Sequence, residues 1–370
     1  MKDVSLPFLA KLTLALFSLI MIGYLSILGK TLLSPLLFSL LMVFLLLPLA
    51  NFLEYRFKFN RSISSISSVL ILIVVIYGLI YFLANQLTEL WADWPLLVKQ
   101  VTRAFHDLQL WVSRTFNINT VKQQSYLLDS AEKALSTSAV VIGTTIVTLS
   151  SSLLFLAFTL LFTFFILNYR RLLYRFLINV FAEEHSTKVT EIVREIQHII
   201  RKYVSGLFIQ MIIVTILMIS TLSLLGVKYA ILLGVIAGIF NIIPYLGIST
   251  ALLISVLITF ATAGAAKALL VLFAFIGVHT IDGNILLPLV VGSKVKINAL
   301  IAFIGIILGE MIWGISGMFL CIPYLAMFKI IFEKTDGLKA WGLLLGEEPK
   351  RNRKRKTYHI TKNIKFEEAE

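Results

Sequence analysis

Long uncharged runs of apolar residues decide the fold of this chain, and the clearest run is SISSISSVLILIVVIYGLIYFLA, residues 62–84. An α-helix rises about 1.5 Å per residue, so about 20 apolar residues cross a bilayer core about 30 Å thick. Similar runs cover residues 7–28, where Lys11 is the one interruption, 31–50 and 139–168. The last run is longer than a bilayer requires, so we expect its helix to tilt or to project into water. These runs predict an all-α polytopic membrane protein.

The composition of the whole chain agrees with this prediction. Of its 370 residues, 58% are hydrophobic and 14% are charged, with a mean hydropathy of +0.92. Soluble domains carry about 45–50% apolar and about 25% charged residues, so this chain lacks the charge that a water-facing surface needs. The composition excludes a soluble globular protein. The single cysteine, Cys321, excludes an internal disulfide framework and a thiolate metal cluster.

The net charge of +13 is concentrated in a few connecting segments. Basic residues gather in residues 51–61, 169–202 and 350–356. Because short basic segments stay in the cytoplasm, this distribution predicts a multi-pass protein with cytoplasmic N- and C-termini. Anionic lipid is the polyanion nearest to the basic tail, so we expect the lipid bilayer, and no nucleic acid, as its partner.

Residues 85–138 form the first long stretch of ordinary composition. Its tryptophans, Trp91, Trp94 and Trp111, lie among polar residues, and tryptophan favours the headgroup level of a membrane. We therefore expect an extracytoplasmic helical subdomain that rests on the membrane face. A solvated linker with some helix is the alternative.

A helical period follows the fourth apolar run. Apolar residues recur there at spacings of three and four and form one stripe: Val189, Ile192, Val193, Ile196, Ile199, Ile200 and Tyr203. This pattern predicts an amphipathic cytoplasmic helix that packs on the membrane or on the protein and leads into the next span. A regulatory surface is the alternative interpretation.

Two apolar segments of the C-terminal half are interrupted. The first breaks at residues 241–247, which read NIIPYLG, because Pro244 removes a backbone donor and Gly247 permits a break. The second covers residues 299–331, is too long for one span and contains Gly309, Gly314 and Gly317. Each segment is predicted to be a helical hairpin, either re-entrant or crossing, so that about eight transmembrane segments are expected in total.

A full span precedes each broken segment, at residues 203–225 and 265–291. The two span-plus-hairpin units are expected to run in opposite directions, as in transporters built from inverted repeats. The chain is thereby divided into five predicted parts: three N-terminal transmembrane helices (1–84), the extracytoplasmic subdomain (85–138), a long transmembrane helix with the cytoplasmic amphipathic helix (139–202), a C-terminal transport core (203–331) and a basic cytoplasmic tail (332–370).

The presence of ionisable residues in this apolar half needs an explanation, because a charge at the bilayer centre costs about 2.5–3.5 kcal/mol on insertion scales. Asp282 and Glu310 are the acids concerned, and each is a candidate to bind a proton or a cation. Positions at the membrane interface are the alternatives. The element Gly314-Ile-Ser-Gly317 matches intramembrane serine proteases, but no histidine follows Ser316 within the membrane, so we expect no enzyme. No nucleotide, zinc or cofactor motif occurs, so we expect no cofactor and no metal.

Residues 241–247, DGNILLP at 282–288, and GEMIWGISG at 309–317 resemble the C-terminal region of the autoinducer-2 exporter (AI-2E) transporter family. The resemblance implies a homo-oligomeric protein of the bacterial inner membrane that exports autoinducer-2 or a related small solute, or exchanges Na⁺ or Li⁺ for H⁺. Glu310 stands where many family members have glycine. A non-transporting scaffold or regulator is the alternative of another class. With the resemblance, the candidate pathway residues for a small-molecule or ion substrate are Asn241, Pro244, Tyr245, Gly247, Asp282, Asn284, Glu310, Gly314 and Gly317.

Overall fold

The computed structural model describes residues 7–93, 121–181, 185–243, 246–291 and 297–347, with positions 95, 99–100 and 102–103. For residues 11, 121–149, 246 and 291 it describes the backbone alone. These ranges form helices α1 (Phe8–Leu28), α2 (Lys30–Arg56), α3 (Arg61–Ala92), α4 (Val121–Val180), α5 (Ser186–Leu224), α6 (Ala230–Phe240), α7 (Leu246–Ile281), a π-helix (Asp282–Val291), α8 (Ala299–Trp313), α9 (Ile315–Lys334) and α10 (Lys339–Leu345).

Seven helices in the described ranges are long and apolar enough to cross a membrane. Their bounds are Phe8–Leu28, Lys30–Arg56, Arg61–Ala92, Ser150–Val180, Ser186–Leu224, Gly247–Val290 and Ile315–Lys334. Two shorter apolar helices, α6 and α8, accompany them. The prediction of an all-α polytopic membrane protein with broken helical segments is confirmed.

Helix α4 is longer than the sequence pattern indicates. It runs for 60 residues and passes the predicted boundary at residue 138 without interruption. At about 1.5 Å per residue it is about 90 Å long, about three times the thickness of a bilayer core, so it extends well beyond the membrane. Residues 104–120 of the predicted extracytoplasmic subdomain lie outside the described residues, as do residues 348–370 of the predicted tail. Both regions stay predictions.

The first broken segment is a hairpin packed along α5. Gly234 and Gly238 of α6 approach α5 so closely that a Cβ on either would collide with Ile219 or Thr215 respectively. Helix α6 therefore runs antiparallel to α5. It has 11 residues and is about 17 Å long, which is too short to cross a bilayer core of about 30 Å.

Helix α7 returns from the tip of this hairpin and bends at Gly264. That residue has φ 83° and ψ 176°, a backbone conformation that glycine adopts without steric cost. Beyond the bend, Lys267 Nζ donates to the Gly226 carbonyl, which follows the C-terminal end of α5. The hairpin of α6 and the first half of α7 therefore opens at that end of α5.

The second broken segment is the hairpin of α8 and α9. Gly314, with φ 67°, forms its turn. A Cβ on Gly309 would lie 2.5 Å from the Gly317 carbonyl oxygen, so the two helices touch backbone to backbone. At the open end, Lys334 Nζ lies 2.6 Å from Glu191 Oε1, near the N-terminal end of α5. The two hairpins thus open towards opposite ends of α5.

Apolar side chains pack in three clusters between these helices. One cluster joins α5, α6 and α7, a second joins α2, α5 and α9, and a third joins α2, α3 and α4. Large apolar side chains are nevertheless exposed along most spans, as expected for surfaces that face lipid. The first cluster packs together the helices from which the candidate site is built.

Candidate functional site

Asp282 lies where α5, the tip of the first hairpin and the π-helix meet. Its side chain is the one charged group that is buried within the described residues, with 5% of the residue exposed. Gln210 Nε2 of α5 donates to Asp282 Oδ1 at 2.8 Å. Asn241 Nδ2, directly after α6, donates to Asp282 Oδ2 at 3.0 Å. Two carboxamides from distant parts of the chain therefore hold one carboxylate.

A change of helix type begins at Asp282. The chain from Asp282 to Val291 forms a π-helix, which contains Pro288. Proline cannot donate the backbone hydrogen bond that an α-helix requires, and π-turns are rare and occur frequently at functional sites. The irregular backbone starts at the residue whose side chain the two carboxamides bind.

The hairpin tip places Asn241 against this carboxylate. Gly247 N donates to the Ile243 carbonyl at 3.0 Å and closes the turn. A Cβ on the buried Gly247 would overlap the Phe240 carbonyl oxygen, so only glycine fits there. The candidate residues Pro244 and Tyr245 lie outside the described residues.

Charge balance at Asp282 is unusual for a buried acid. Among the described residues, no lysine, arginine or histidine forms an ion pair with it. Hydrogen bonds to a charged group contribute about 1.5–3 kcal/mol, which offsets part of the cost of burying a carboxylate.

Three polar atoms of α5 and α7 are buried and have no hydrogen-bond partner within the part of the chain that the structure describes. Gln210 Oε1, Ser255 Oγ and Thr259 Oγ1 have no hydrogen-bond partner among the described residues. Ser255 and Thr259 lie one turn apart on the first half of α7 and so share a face of that helix. An unpaired buried polar atom costs about 1–3 kcal/mol, which water, an ion or a polar solute can recover.

The tip of the second hairpin is anchored to α1 and α2. Trp313 Nε1 donates to the Ser26 carbonyl at 2.9 Å, and the hydroxyls of Ser34 and Ser316 lie 2.8 Å apart. Ser316 Oγ also donates to the Trp313 carbonyl at 3.0 Å, so its described partners include no histidine base. Both candidate glycines of this hairpin have structural roles: Gly314 forms the turn, and Gly317 makes the close contact with Gly309.

The structure brings three of the candidate residues together: Asn241, Gly247 and Asp282. Asn284 is exposed and donates to the Thr280 carbonyl at 2.9 Å, away from the carboxylate. Glu310 is also exposed, and its side chain makes no hydrogen bond with a described residue.

Sequence reasoning missed Gln210. A signal was present, because Gln210 is the one carboxamide in the apolar run 203–225. A polar side chain within a membrane span is a functional-site candidate by default.

Comparisons with known proteins agree with this architecture. The model of the family described as "AI-2E family transporter" matches residues 16–337. The "Putative transport protein YueF" of Bacillus subtilis is 26% identical over 321 residues, which cover 82% of this chain and 84% of that protein. The "AI-2 transport protein TqsA" of Escherichia coli is 30% identical over 128 residues, which cover 35% of this chain and 37% of that protein. Because the family model covers most of the chain, this protein belongs to the AI-2E family of transporters.

Proposed function

We propose that this transporter exports a small solute across the bacterial inner membrane and that Asp282 binds the coupled proton or cation. The observation that carries the proposal is the buried carboxylate that two carboxamides hold and no described base neutralises. Ionisable residues buried within membrane spans commonly mark ion pathways and proton relays.

The unpaired oxygen of Gln210 supports a proton-binding role. Ionised Asp282 accepts one hydrogen bond from each carboxamide. Protonated Asp282 would donate one hydrogen bond, and Gln210 Oε1 is an acceptor without a described partner. Rotation of the Gln210 amide by half a turn would present that oxygen, so both charge states of the carboxyl would be satisfied.

The position of Asn241 supports a link between charge and movement. Asn241 belongs to the hairpin tip, whereas Gln210 belongs to the continuous helix α5. Protonation would require the Gln210 amide to turn and would replace a charge-assisted hydrogen bond from Asn241 with a weaker one to a neutral carboxyl, so the tip would then be less firmly held to α5. Alternating access in transporters commonly involves such movement of one unit against another.

Autoinducer-2 or a related small polar metabolite is our proposed cargo. The name of the relative TqsA supports this assignment, and the buried, unpaired Ser255 and Thr259 hydroxyls suit a solute rich in hydrogen-bonding groups. Exchange of Na⁺ or Li⁺ for H⁺ has less support, because Asp282 is the one buried acid among the described residues. Family membership gives no support to a scaffold role.

We also propose cytoplasmic termini and a homo-oligomer. The basic segments at residues 51–61 and 169–202 support this orientation. Glu310 is exposed on the surface of the single chain, within an apolar helix. Contact with lipid tails would be costly there, so a second copy or a water-filled space beside Glu310 is favoured.

Flux measurements on the purified protein in liposomes test the proposal. Autoinducer-2 flux driven by a pH gradient is measured for the natural protein, for Asp282→Asn and for Glu310→Gln. We expect Asp282→Asn to lose about tenfold or more of the flux. A loss of about 1.4 kcal/mol in the free energy of binding the coupled proton or cation corresponds to a factor of ten. Glu310→Gln compares the second acid of the apolar half, and Glu347→Gln, at an exposed carboxylate after α10, is the control that should retain its flux. Unchanged flux in Asp282→Asn would remove this carboxylate from the mechanism.

A further inference from the structure

A cluster of arginines surrounds one glutamate where α2, α3 and α4 come together. Glu54 accepts from Arg170, which is largely buried, and from Arg171 at 2.8 Å. The Arg61 guanidinium lies 4.0 Å from the same carboxylate. Asn51 adds a contact, because Arg170 donates to its side-chain oxygen at 3.1 Å. We call Glu54, Arg61, Arg170 and Arg171 the Glu54 cluster.

The Glu54 cluster carries an excess of positive charge. Three guanidinium groups share one carboxylate, and no other described acid contacts them. Arg170 is held inside, whereas the side chains of Arg61 and Arg171 remain 40% and 48% exposed. The cluster therefore presents two cations to its surroundings that its single acid does not neutralise.

The loop between α2 and α3 adds a further cation, Lys58, whose neighbours in the sequence are two phenylalanines. Lys58 is exposed and has φ 57°, a left-handed conformation that is uncommon outside glycine. The rings of its neighbours, Phe57 and Phe59, lie 5.9 Å apart, and Phe52 packs edge-on against Phe57 at 5.7 Å. All three rings belong to exposed residues. The loop therefore adds one cation and exposed apolar rings at the same ends of α2 and α3 as the Glu54 cluster.

We propose that this surface binds an anionic phospholipid, with the lipid phosphate held by Arg61, Arg171 and Lys58. Arginine forks match phosphate oxygens in pairs, and basic surfaces at the end of a span attract anionic headgroups. The exposed phenylalanine rings at the same ends of these helices offer a contact to the apolar part of that lipid. A free phosphate ion would use the cations but would gain nothing from the rings.

Lipid binding to the detergent-purified full chain tests this proposal. Native mass spectrometry measures the occupancy of phosphatidylglycerol and of phosphatidylcholine with matched chains. The variants are Lys58→Gly, the pair Arg61→Gln with Arg171→Gln, and Arg194→Gln as a control on an exposed arginine of α5. Inorganic phosphate is added as a competitor in a separate arm.

We expect the natural protein to prefer phosphatidylglycerol, and each removed cation to weaken its binding about fivefold. Arg194→Gln should leave the preference unchanged. Lys58→Gly preserves the left-handed turn, so its result holds even where the double variant fails to fold. Equal binding of both lipids, an unchanged preference in Lys58→Gly, or displacement of the lipid by an equal concentration of phosphate would each overturn the proposal.

Discussion

The side chain of Asn241 donates to the carboxylate of Asp282 at 3.0 Å, although the two residues lie 41 positions apart in the chain. This bond connects the tip of the first hairpin with the start of the π-helix. Gln210 completes the arrangement from a third helix. The carboxylate thus depends on the relative positions of three helical elements, and any movement of the hairpin must alter its environment.

Replacement of Asn241 by alanine should impair transport. The change leaves one oxygen of Asp282 without its described donor, which costs about 1–3 kcal/mol in a buried setting. With the proposed cargo, autoinducer-2, we expect the flux in liposomes to fall about tenfold. Asn284→Ala is the matched control, because Asn284 is exposed and donates to the Thr280 carbonyl, one turn earlier in the chain. Equal flux in the two variants would count against the role of Asn241.

Replacement of Gly317 by alanine should destabilise the second hairpin. A Cβ at this buried position would overlap the Gly309 carbonyl, and neither backbone can move aside cheaply. Overpacking of this kind costs about 1–3 kcal/mol, so the thermal midpoint in detergent should fall by several degrees. The control is Gly277→Ala, where a Cβ would meet open space and the midpoint should hold or rise. A midpoint unaffected in Gly317→Ala would contradict the close contact.

Acid should loosen the junction between α5 and the segment after α9. Hydrogen bonds from Lys188 and Lys339, together with their charges, lower the pKa of Asp336 to about 2. A lowered pKa means that the stabilising effect is present above the ordinary value of 3.8 and is lost as the pH falls towards about 2. We expect the thermal midpoint of the natural protein to fall more steeply between pH 4 and about pH 2 than that of Asp336→Asn.

A control for this pH effect is Glu347→Gln, which removes an exposed carboxylate that forms no ion pair with a described residue. Its pH profile should follow the natural protein. Coincident profiles for the natural protein and Asp336→Asn would show that these ion pairs have no effect on stability.

The end of α3 should detach when Asp93 loses its charge. Hydrogen bonds from Lys228 and then Tyr229 lower the pKa of Asp93, and the bond with Asp93 raises the pKa of Lys228. These contacts tie α3 to the connection between α5 and α6. In Asp93→Asn we expect faster hydrogen exchange at residues 225–230, with little change at residues 315–334. Unaltered hydrogen exchange at residues 225–230 would show that Asp93 does not hold α3 to this connection.

The broken segments were predicted correctly from particular residues. Gly314 forms a turn with positive φ, and Gly247 closes the tip of the other hairpin. Backbone breaks are local events, so the residue types at these positions were sufficient to indicate them. The bend at Gly264 falls directly before the predicted span at residues 265–291, so it also lies at a boundary between two apolar segments of the sequence.

Only some residues of the candidate site could be predicted from the sequence. Asp282 could be named because an acid in an apolar run is costly wherever the run lies. Asn241 was a candidate through the family resemblance, but Gln210 was missed, and neither contact with Asp282 could be predicted, because the two residues lie 41 and 72 positions away and meet it only after the helices pack. Glu310 has the same sequence signal as Asp282 but occupies an exposed position.

The sequence by itself determined the membrane class, the apolar spans and the places where they break. These features follow from local composition, since the cost of placing a segment in hydrocarbon depends on that segment alone. The tertiary structure decided which polar groups surround Asp282 and how the arginines share Glu54. These features depend on packing between helices distant in the chain, where close contacts such as that of Gly309 with Gly317 set the relative positions of the helices.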